Sequence, residues 1–156
     1  MNFFKRFVIV RTRRVKQGVR RRRVAGRRKA SRTRPTAASQ RAHIEHKNDV
    51  KKLIMERLEF YNASYGYKYG RVTIKNQSSR WGSCSSKGNI NFNYRLKFLS
   101  EKLRDYVIVH ELCHLGQLNH SQAFWDLVAR TMPDYRELRA ELHKIRLATL
   151  DADVTK

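Results

Sequence analysis

The sequence Val107-Ile108-Val109-His110-Glu111-Leu112-Cys113-His114 predicts both the central helix of the fold and its chemistry. Two histidines four positions apart lie about 40° apart around a helix axis, so both imidazoles project from one face. The glutamate directly follows the first histidine and flanks the same face. This His-Glu-x-x-His pattern is typical of zinc hydrolases, in which the histidines bind the metal and the glutamate is the general base.

A third ligand is expected close to this helix, because a catalytic zinc site combines three protein ligands with one open coordination position. His120 lies beside the turn that ends the helix and is the residue best placed to supply it. The histidine spacing matches the metzincin class, but the glycine of that class would fall at Gln117, and here it is Gly116. Glu137 and Glu141 on the following helices remain alternative third ligands, as in thermolysin-like enzymes.

The pattern around the motif predicts a helix from about Ser100, its N-cap, to Gln117. Apolar residues occupy nearly every side of this helix, which therefore must be buried in its domain. Buried histidines and a buried glutamate are costly unless something satisfies them, and one Zn²⁺ would do so.

The remaining periodicities predict an α+β domain. A helical stripe runs from Ile44 to Tyr61, and alternating segments follow at Val72–Lys75, Arg80–Cys84 and Asn89–Tyr94. We expect these segments to form a small antiparallel three-stranded sheet, with the last two joined as a hairpin. The helix of the motif and two C-terminal helices, the first capped by Ser121, complete the predicted order.

Positive charge is concentrated at the start of the chain. The formal net charge is +22, and residues 1–42 hold sixteen of the 35 Lys and Arg residues and no acidic residue. We therefore predict a basic, disordered arm over 1–42, a zinc metallopeptidase-like domain over 43–150 and a disordered tail over 151–156. The arm either attracts nucleic acid or an anionic membrane through its charge or is a solvated extension without a dedicated partner, and a targeting segment is a further alternative.

The sequence also predicts the cellular location of the protein and its oligomeric state. No run approaches the roughly 20 apolar residues of a membrane span, and the N-terminus makes a poor secretory signal. Cys84 and Cys113 have no Cys-x-x-Cys spacing and are expected to be reduced core residues. We predict a cytoplasmic monomer.

Four ordered motifs resemble the YgjP-like metallopeptidase family, which is similar in turn to the SprT-like and Wss1-like metalloproteases. They are Ser79-Arg80-Trp81-Gly82-Ser83-Cys84, Asn91-Phe92-Asn93-Tyr94-Arg95-Leu96, the segment Tyr106–His114, and Asn119-His120-Ser121-Gln122-Ala123-Phe124-Trp125. The resemblance covers about residues 45–146, and the Arg-rich first forty residues depart from it. It implies a compact zincin-type fold and a zinc ion on His110, His114 and His120, with Glu111 as the base.

Three functions are compatible with these features. The favoured one is a zinc-dependent metalloendopeptidase that hydrolyses peptide bonds of a polypeptide substrate through a metal-activated water, with strand Asn89–Tyr94 as an edge that pairs with substrate. A metal-dependent nucleotide or phosphoanhydride hydrolase would instead use Arg80, Lys87 and Arg95 to neutralise phosphates. A nucleic-acid-associated protein with a structural zinc site is the third. Arg80, Arg95 and Tyr94 are possible substrate contacts, although structural roles are favoured for all three, with the arginines as sheet-surface charges and Tyr94 in the core.

Overall fold

The computed structural model describes residues 35–145 and residue 147. These residues form an α+β arrangement, so the predicted fold class is confirmed. In chain order the elements are α1 (Ala37–Asn62), β1 (Val72–Lys75), β2 (Gly82–Cys84), β3 (Ile90–Asn93), a 3₁₀ helix (Tyr94–Phe98), α2 (Glu101–Cys113), α3 (Gln122–Thr131) and α4 (Tyr135–Lys144). Residues 1–34 of the predicted arm and the predicted tail 151–156 lie outside the described residues.

Helix α1 begins at Ala37, where the Thr36 side chain accepts a hydrogen bond from the amide of Ser39 at 3.2 Å. Its fully buried positions recur every fourth residue, as expected of a helix with one face on the core, and they are Val50, Ile54 and Leu58. Ile44 was predicted to share that face but is 68 % exposed. It lies about 120° around the axis from Val50, because each residue turns the helix by 100°.

The sheet has the strand order β1-β3-β2, with β3 in the centre. Strands β2 and β3 pair antiparallel as the predicted hairpin, but β1 pairs with β3 in parallel, so the prediction of a wholly antiparallel sheet is wrong. The chain places β2 at the far edge first, and the hairpin then returns β3 into the space between the two outer strands. A central strand has both edges paired, so the prediction that Asn89–Tyr94 is an edge for substrate is also wrong.

Asn93 ties the end of β3 to the segment that precedes β2. Its side-chain amide donates to the carbonyl oxygens of Gln77 at 2.7 Å and Arg80 at 2.9 Å. Its side-chain oxygen accepts from the amide of Arg95 at 3.2 Å and so caps the 3₁₀ helix. These bonds explain why a polar residue is fully buried here, and they hold Arg80 beside the first residue of β2.

Helix α2 is buried along its length and contacts α1, α3, α4 and β2. Its N-cap is Ser100, as predicted, and the Ser100 hydroxyl accepts from the amide of Leu103 at 3.4 Å. The helix ends at Cys113, four residues before the predicted end at Gln117, and His114 is its C-cap. The predicted burial of α2 is therefore confirmed, although the helix is shorter than its apolar pattern indicated.

An ion pair joins α1 to α2 on a side of α2 remote from its histidines. Arg57 donates from Nε to a carboxylate oxygen of Asp105 at 3.0 Å and bonds the second oxygen through its terminal nitrogen. The Tyr61 hydroxyl donates to Asp105 at 3.0 Å as well. The hydrogen bonds to this carboxylate raise the pKa of Arg57 above its ordinary value. This arrangement satisfies a carboxylate whose side chain is only 4 % exposed.

The two last helices cover the end of α2 that carries the histidines. Ser121 takes the predicted N-cap position of α3, without a side-chain capping bond, and Phe124 and Val128 of α3 are fully buried. Tyr135 and Leu138 are the buried residues of α4. No helix among the described residues is long and apolar enough to cross a membrane.

Candidate active site

His110 and His114 stand in the last turn and at the C-cap of α2, with ring centres 4.9 Å apart. The chain turns directly after the helix, and this brings the carbonyl oxygen of Gln117 within 3.0 Å of His114 Nδ1. A carbonyl oxygen only accepts, so Nδ1 carries the proton and Nε2 of the neutral ring keeps its lone pair. This tautomer is the one in which Nε2 is free to bind a metal.

His120 approaches the same point from the turn between α2 and α3. Its Nε2 lies 3.1 Å from Nε2 of His110, and the possible ligand atoms of the three histidines all lie within 4.8 Å of one another. Glu137 and Glu141, the alternative third ligands, are exposed on α4 and are not members of this group. Among the described residues, the donor set is therefore three imidazoles.

Aromatic rings hold His120 although its backbone belongs to an exposed turn. Its ring stacks on Trp125, with ring centres 5.6 Å apart and planes inclined by 27°. The Phe124 ring packs against the His120 ring in an edge-to-face arrangement, with ring centres 4.9 Å apart. Because Trp125 and Phe124 belong to α3, the packing of α3 on α2 positions the third histidine.

The glycine that distinguishes this turn from the metzincin turn has a packing reason. A Cβ at Gly116 would collide with the hydroxyl group of Tyr67 and would lie 3.3 Å from Leu127. Gly116 therefore permits the segment after α1 to approach the turn closely. A contact between residues so far apart in sequence leaves no trace in local spacing.

Glu111 is buried, with 6 % of the residue exposed, and its Oε2 has no hydrogen-bond partner in the described part of the chain. Burial raises the pKa of its carboxyl group to about 8, while the charge of Arg80 acts in the opposite direction. Strand β2 lies directly against this side chain. A Cβ placed on Gly82 would lie 2.6 Å from Cγ and 2.7 Å from Oε1 of Glu111. Sequence reasoning missed Gly82, because no local pattern shows which residue a strand presents to a helix.

Burial and neighbouring charges disfavour the charged form of two of the imidazoles, His110 and His120. Burial, followed by the charges of His114, His120 and Arg139, lowers the pKa of His110 to about 3. Burial and the neighbouring charges also lower the pKa of His120. Three imidazole nitrogens that converge in this way match the ligand chemistry of zinc, for which tetrahedral geometry places nitrogens about 3.3 Å apart. The residues present therefore fit a bound divalent metal.

An open cleft of about 440 Å³ lies in front of these groups. His110, His120 and Glu111 form part of its wall, and its other lining residues include Trp81, Tyr106, Trp125, Arg80, Arg139 and His143. Of these, Tyr106 had a sequence signal, because it stands four residues before His110 and so shares its helix face. Trp125 and Arg139 come from two later helices, and only tertiary contacts bring them to the cleft.

The three residues proposed to neutralise phosphates are not brought together. Arg80 lines the cleft, whereas Lys87 borders a separate depression on the other side of His114. Arg95 is 3 % exposed and donates to Ser39 Oγ at 2.7 Å in the core. Tyr94 is fully buried. The core role favoured for Tyr94 is thus observed, whereas Arg95 is buried and is not the sheet-surface charge that was expected. Arg80 alone of the possible contacts reaches the cleft.

A comparison with protein families identifies the family of this chain. The sequence model of the YgjP-like metallopeptidase domain matches residues 5–145. The chain belongs to the YgjP-like metallopeptidase family. The match begins forty residues earlier than the expected 45–146, so the family's sequence pattern includes most of the basic arm. The arm's strong arginine bias obscured that pattern.

Two solved metallopeptidase structures resemble this YgjP-like protein. The metallopeptidase zymogen of Pyrococcus abyssi abylysin is 26 % identical, with a TM-score of 0.54 over 58 % of this chain and 92 % of that one. The metallopeptidase zymogen of Methanocaldococcus jannaschii jannalysin is 20 % identical, with a TM-score of 0.51 over 58 % and 94 %, and shows the fold alone. A comparison with curated proteins finds no match. Family membership makes the chain a metallopeptidase and hence a hydrolase, as predicted.

Proposed function

We propose that this YgjP-like metallopeptidase depends on one zinc ion held by His110, His114 and His120 and that it cleaves peptide bonds with Glu111 as general base. The observation that carries the proposal is the convergence of three imidazoles, within 4.8 Å, beside a buried carboxylate at the wall of a cleft. This arrangement matches the open zinc sites of hydrolases, which have three protein ligands and one free position. A zincin-type catalytic domain is part of the same proposal.

The donor set favours a catalytic over a structural metal. A structural zinc site is closed by four protein ligands, whereas the residues that the structure describes supply three and leave a cleft on the remaining side. A zinc ion bound here supplies polarisation of the scissile carbonyl group and acidification of the attacking water.

Glu111 transfers the protons of the reaction as general base and then as general acid. Its carboxylate is held against Gly82 at the cleft wall, where it accepts a proton from the attacking water and returns it to the leaving amine. Burial raises the pKa of this carboxyl group to about 8, which increases its affinity for the proton that it takes up. No second carboxylate lines the cleft in the described part of the chain, so both steps are assigned to Glu111.

The substrate would lie along β2 instead of β3. Strand β2 is an outer strand of the sheet, and its residue Gly82 contacts Glu111. An extended peptide that pairs with β2, along the edge that has no partner strand among the described residues, would therefore place a carbonyl group near the metal-binding histidines.

The decisive experiment combines metal analysis with an activity screen of the full chain. Elemental analysis should find about one zinc per chain in wild type and in Glu111→Gln, and much less in His120→Ala. Peptide libraries should be cleaved by wild type, with a rate at least about a hundred-fold higher than that of Glu111→Gln. His143→Ala, which changes a cleft histidine outside the ligand group, should keep its zinc.

The same assay includes nucleoside triphosphates as a second substrate class. Full activity of Glu111→Gln on peptides would disprove the proposed role of this residue. Turnover of triphosphates with no cleavage of any peptide would replace the peptidase proposal with a phosphoanhydride hydrolase. A cytoplasmic, monomeric protein remains our prediction, to be checked by fractionation and by light scattering.

A further inference from the structure

Among the described residues, two of the arginines that line the cleft form no ion pair with a carboxylate. Arg80 precedes β2 and Arg139 lies on α4, and both residues are exposed. The ion pairs within the described residues involve other cations, namely Arg57, Lys97 and Lys102. Glu111 is the one acidic side chain among the described lining residues, so the cleft has an excess of positive charge.

Arg139 is the better oriented of the two. Its guanidinium carbon lies 4.8 Å from the centre of the Trp125 ring, and this cation–π contact fixes the guanidinium group against the cleft wall. Arg139 donates no hydrogen bond to another described residue, so its N–H groups are available to a ligand in the cleft. A planar fork of N–H groups is the geometry that binds a carboxylate through two parallel hydrogen bonds.

Arg139 also faces the groups that would act on the substrate. The same Trp125 ring that carries Arg139 stacks on His120. Arg139, His110 and His120 line the same cleft. A group bound by Arg139 would therefore lie close to the bond that is cleaved.

We propose that Arg139 binds a carboxylate of the substrate, so that the cleft selects peptides with an acidic side chain or a free C-terminus close to the scissile bond. The proposal rests on the peptidase function and adds its substrate class. An acidic side chain and a free C-terminus both offer a carboxylate to Arg139. Peptides that carry only one of the two show which of them is recognised.

The test uses four fluorogenic peptides of otherwise identical sequence, with Glu or Gln beside the cleaved bond and with a free or amidated C-terminus. We expect wild type to prefer one carboxylate, internal or terminal, by about ten- to a hundred-fold in kcat/KM, the range of a charge-assisted hydrogen bond. Arg139→Gln should abolish that preference by lowering kcat/KM for the preferred peptide to the value for its neutral counterpart. Arg136→Gln is the matched control, because Arg136 lies on the same helix over Tyr135 and outside the cleft lining.

A binding measurement separates recognition from catalysis. In the Glu111→Gln background, titration of the preferred peptide should change tryptophan fluorescence, and adding Arg139→Gln should weaken binding by a similar factor. Zinc content should be the same in all these variants. Equal cleavage of the acidic and neutral peptides by wild type, or an unchanged preference in Arg139→Gln, would overturn the inference while the peptidase function stands. Failure of wild type to cleave any peptide would instead refute the proposed function.

Discussion

The contact between Gly82 and Glu111 shows how a single residue sets the geometry of this site. No side chain larger than hydrogen fits at Gly82 unless Glu111 moves, because a Cβ there would lie 2.6 Å from Cγ of the glutamate. The carboxylate is consequently held between β2 and the body of α2 at the wall of the cleft. We infer that Gly82 is a positioning residue for the general base.

Gly82→Ala is therefore expected to lower kcat by about ten- to a hundred-fold, since displacement of a catalytic group by about 1 Å has effects of this size. Zinc content should change little, because the three atoms nearest a Cβ at Gly82 all belong to Glu111 and not to a histidine. Steady-state kinetics and elemental analysis of the full chain measure both quantities.

Gly70→Ala is a matched control for this substitution. Its Cβ would lie 2.7 Å from Asn89 Oδ1, a similarly close contact with a side chain outside the cleft lining. Loss of zinc in Gly82→Ala, or an equal loss of activity in both alanine variants, would show that Gly82 supports the fold in general and not Glu111 in particular.

The packing of α2 shows what holds the metal-binding helix in place. Its faces are covered by α1, α3, α4 and β2, and it carries fully buried apolar residues on opposite sides, among them Ile108, Val109 and Leu112. Asp105 adds a buried charge that is satisfied by Arg57 and Tyr61 of α1. This pair anchors the N-terminal half of α2 and so supports the position of the histidines near its other end.

Arg57→Met is expected to lower the free energy of unfolding by about 3 kcal/mol, because it leaves a carboxylate with 4 % exposure without its cation. Lys102→Met is the comparison, since it breaks the pair with Asp134, whose partners are 77 % and 40 % exposed. That variant should lose less than about 1 kcal/mol. Urea denaturation at a fixed zinc concentration measures both, and equal losses would mean that burial of Asp105 does not determine the energy.

Positive charge is distributed unevenly along the chain. The arm holds sixteen basic residues and no acidic one, while residues 43–156 hold nineteen basic and thirteen acidic residues, which leaves +6. A segment with this density of positive charge is expected to bind nucleic acid by releasing counterions, with a strong dependence on salt. Residues 1–34 lie outside the described residues, so this function remains a prediction from sequence.

Deletion of residues 1–34 should abolish salt-dependent binding to duplex DNA and leave zinc content and peptidase activity unchanged. The deletion ends at 34 because Thr36 caps α1 and should be kept. Fluorescence anisotropy at two salt concentrations measures the affinity and its slope. Replacement of Arg20–Arg23 by Gln should reduce that slope by up to about four, so DNA binding that is unaffected by either change would contradict the prediction.

Local regularities of the sequence were sufficient for the elements that rely on them. The spacing of His110 and His114 predicted that they share a face of α2, the alternation around Phe92 predicted β3, and Ser100 predicted the start of α2. His120 was expected near that face because a turn follows the helix directly. These predictions depend on contacts within a few residues, where the periods of 3.6 and 2 control which side chains meet.

Contacts between distant segments required the tertiary structure. Neither the parallel pairing of β1 with β3 nor the packing of Gly82 on Glu111 follows from periodicity, because each joins residues whose separation the chain can span in several ways. The contact of Arg139 with the Trp125 ring does not follow from periodicity either, because the two residues belong to different helices, α4 and α3. The sequence of α2 by itself determines the two histidines and the glutamate of the site. The position of His120, the walls of the cleft and its charge depend on the way four other elements pack around that helix.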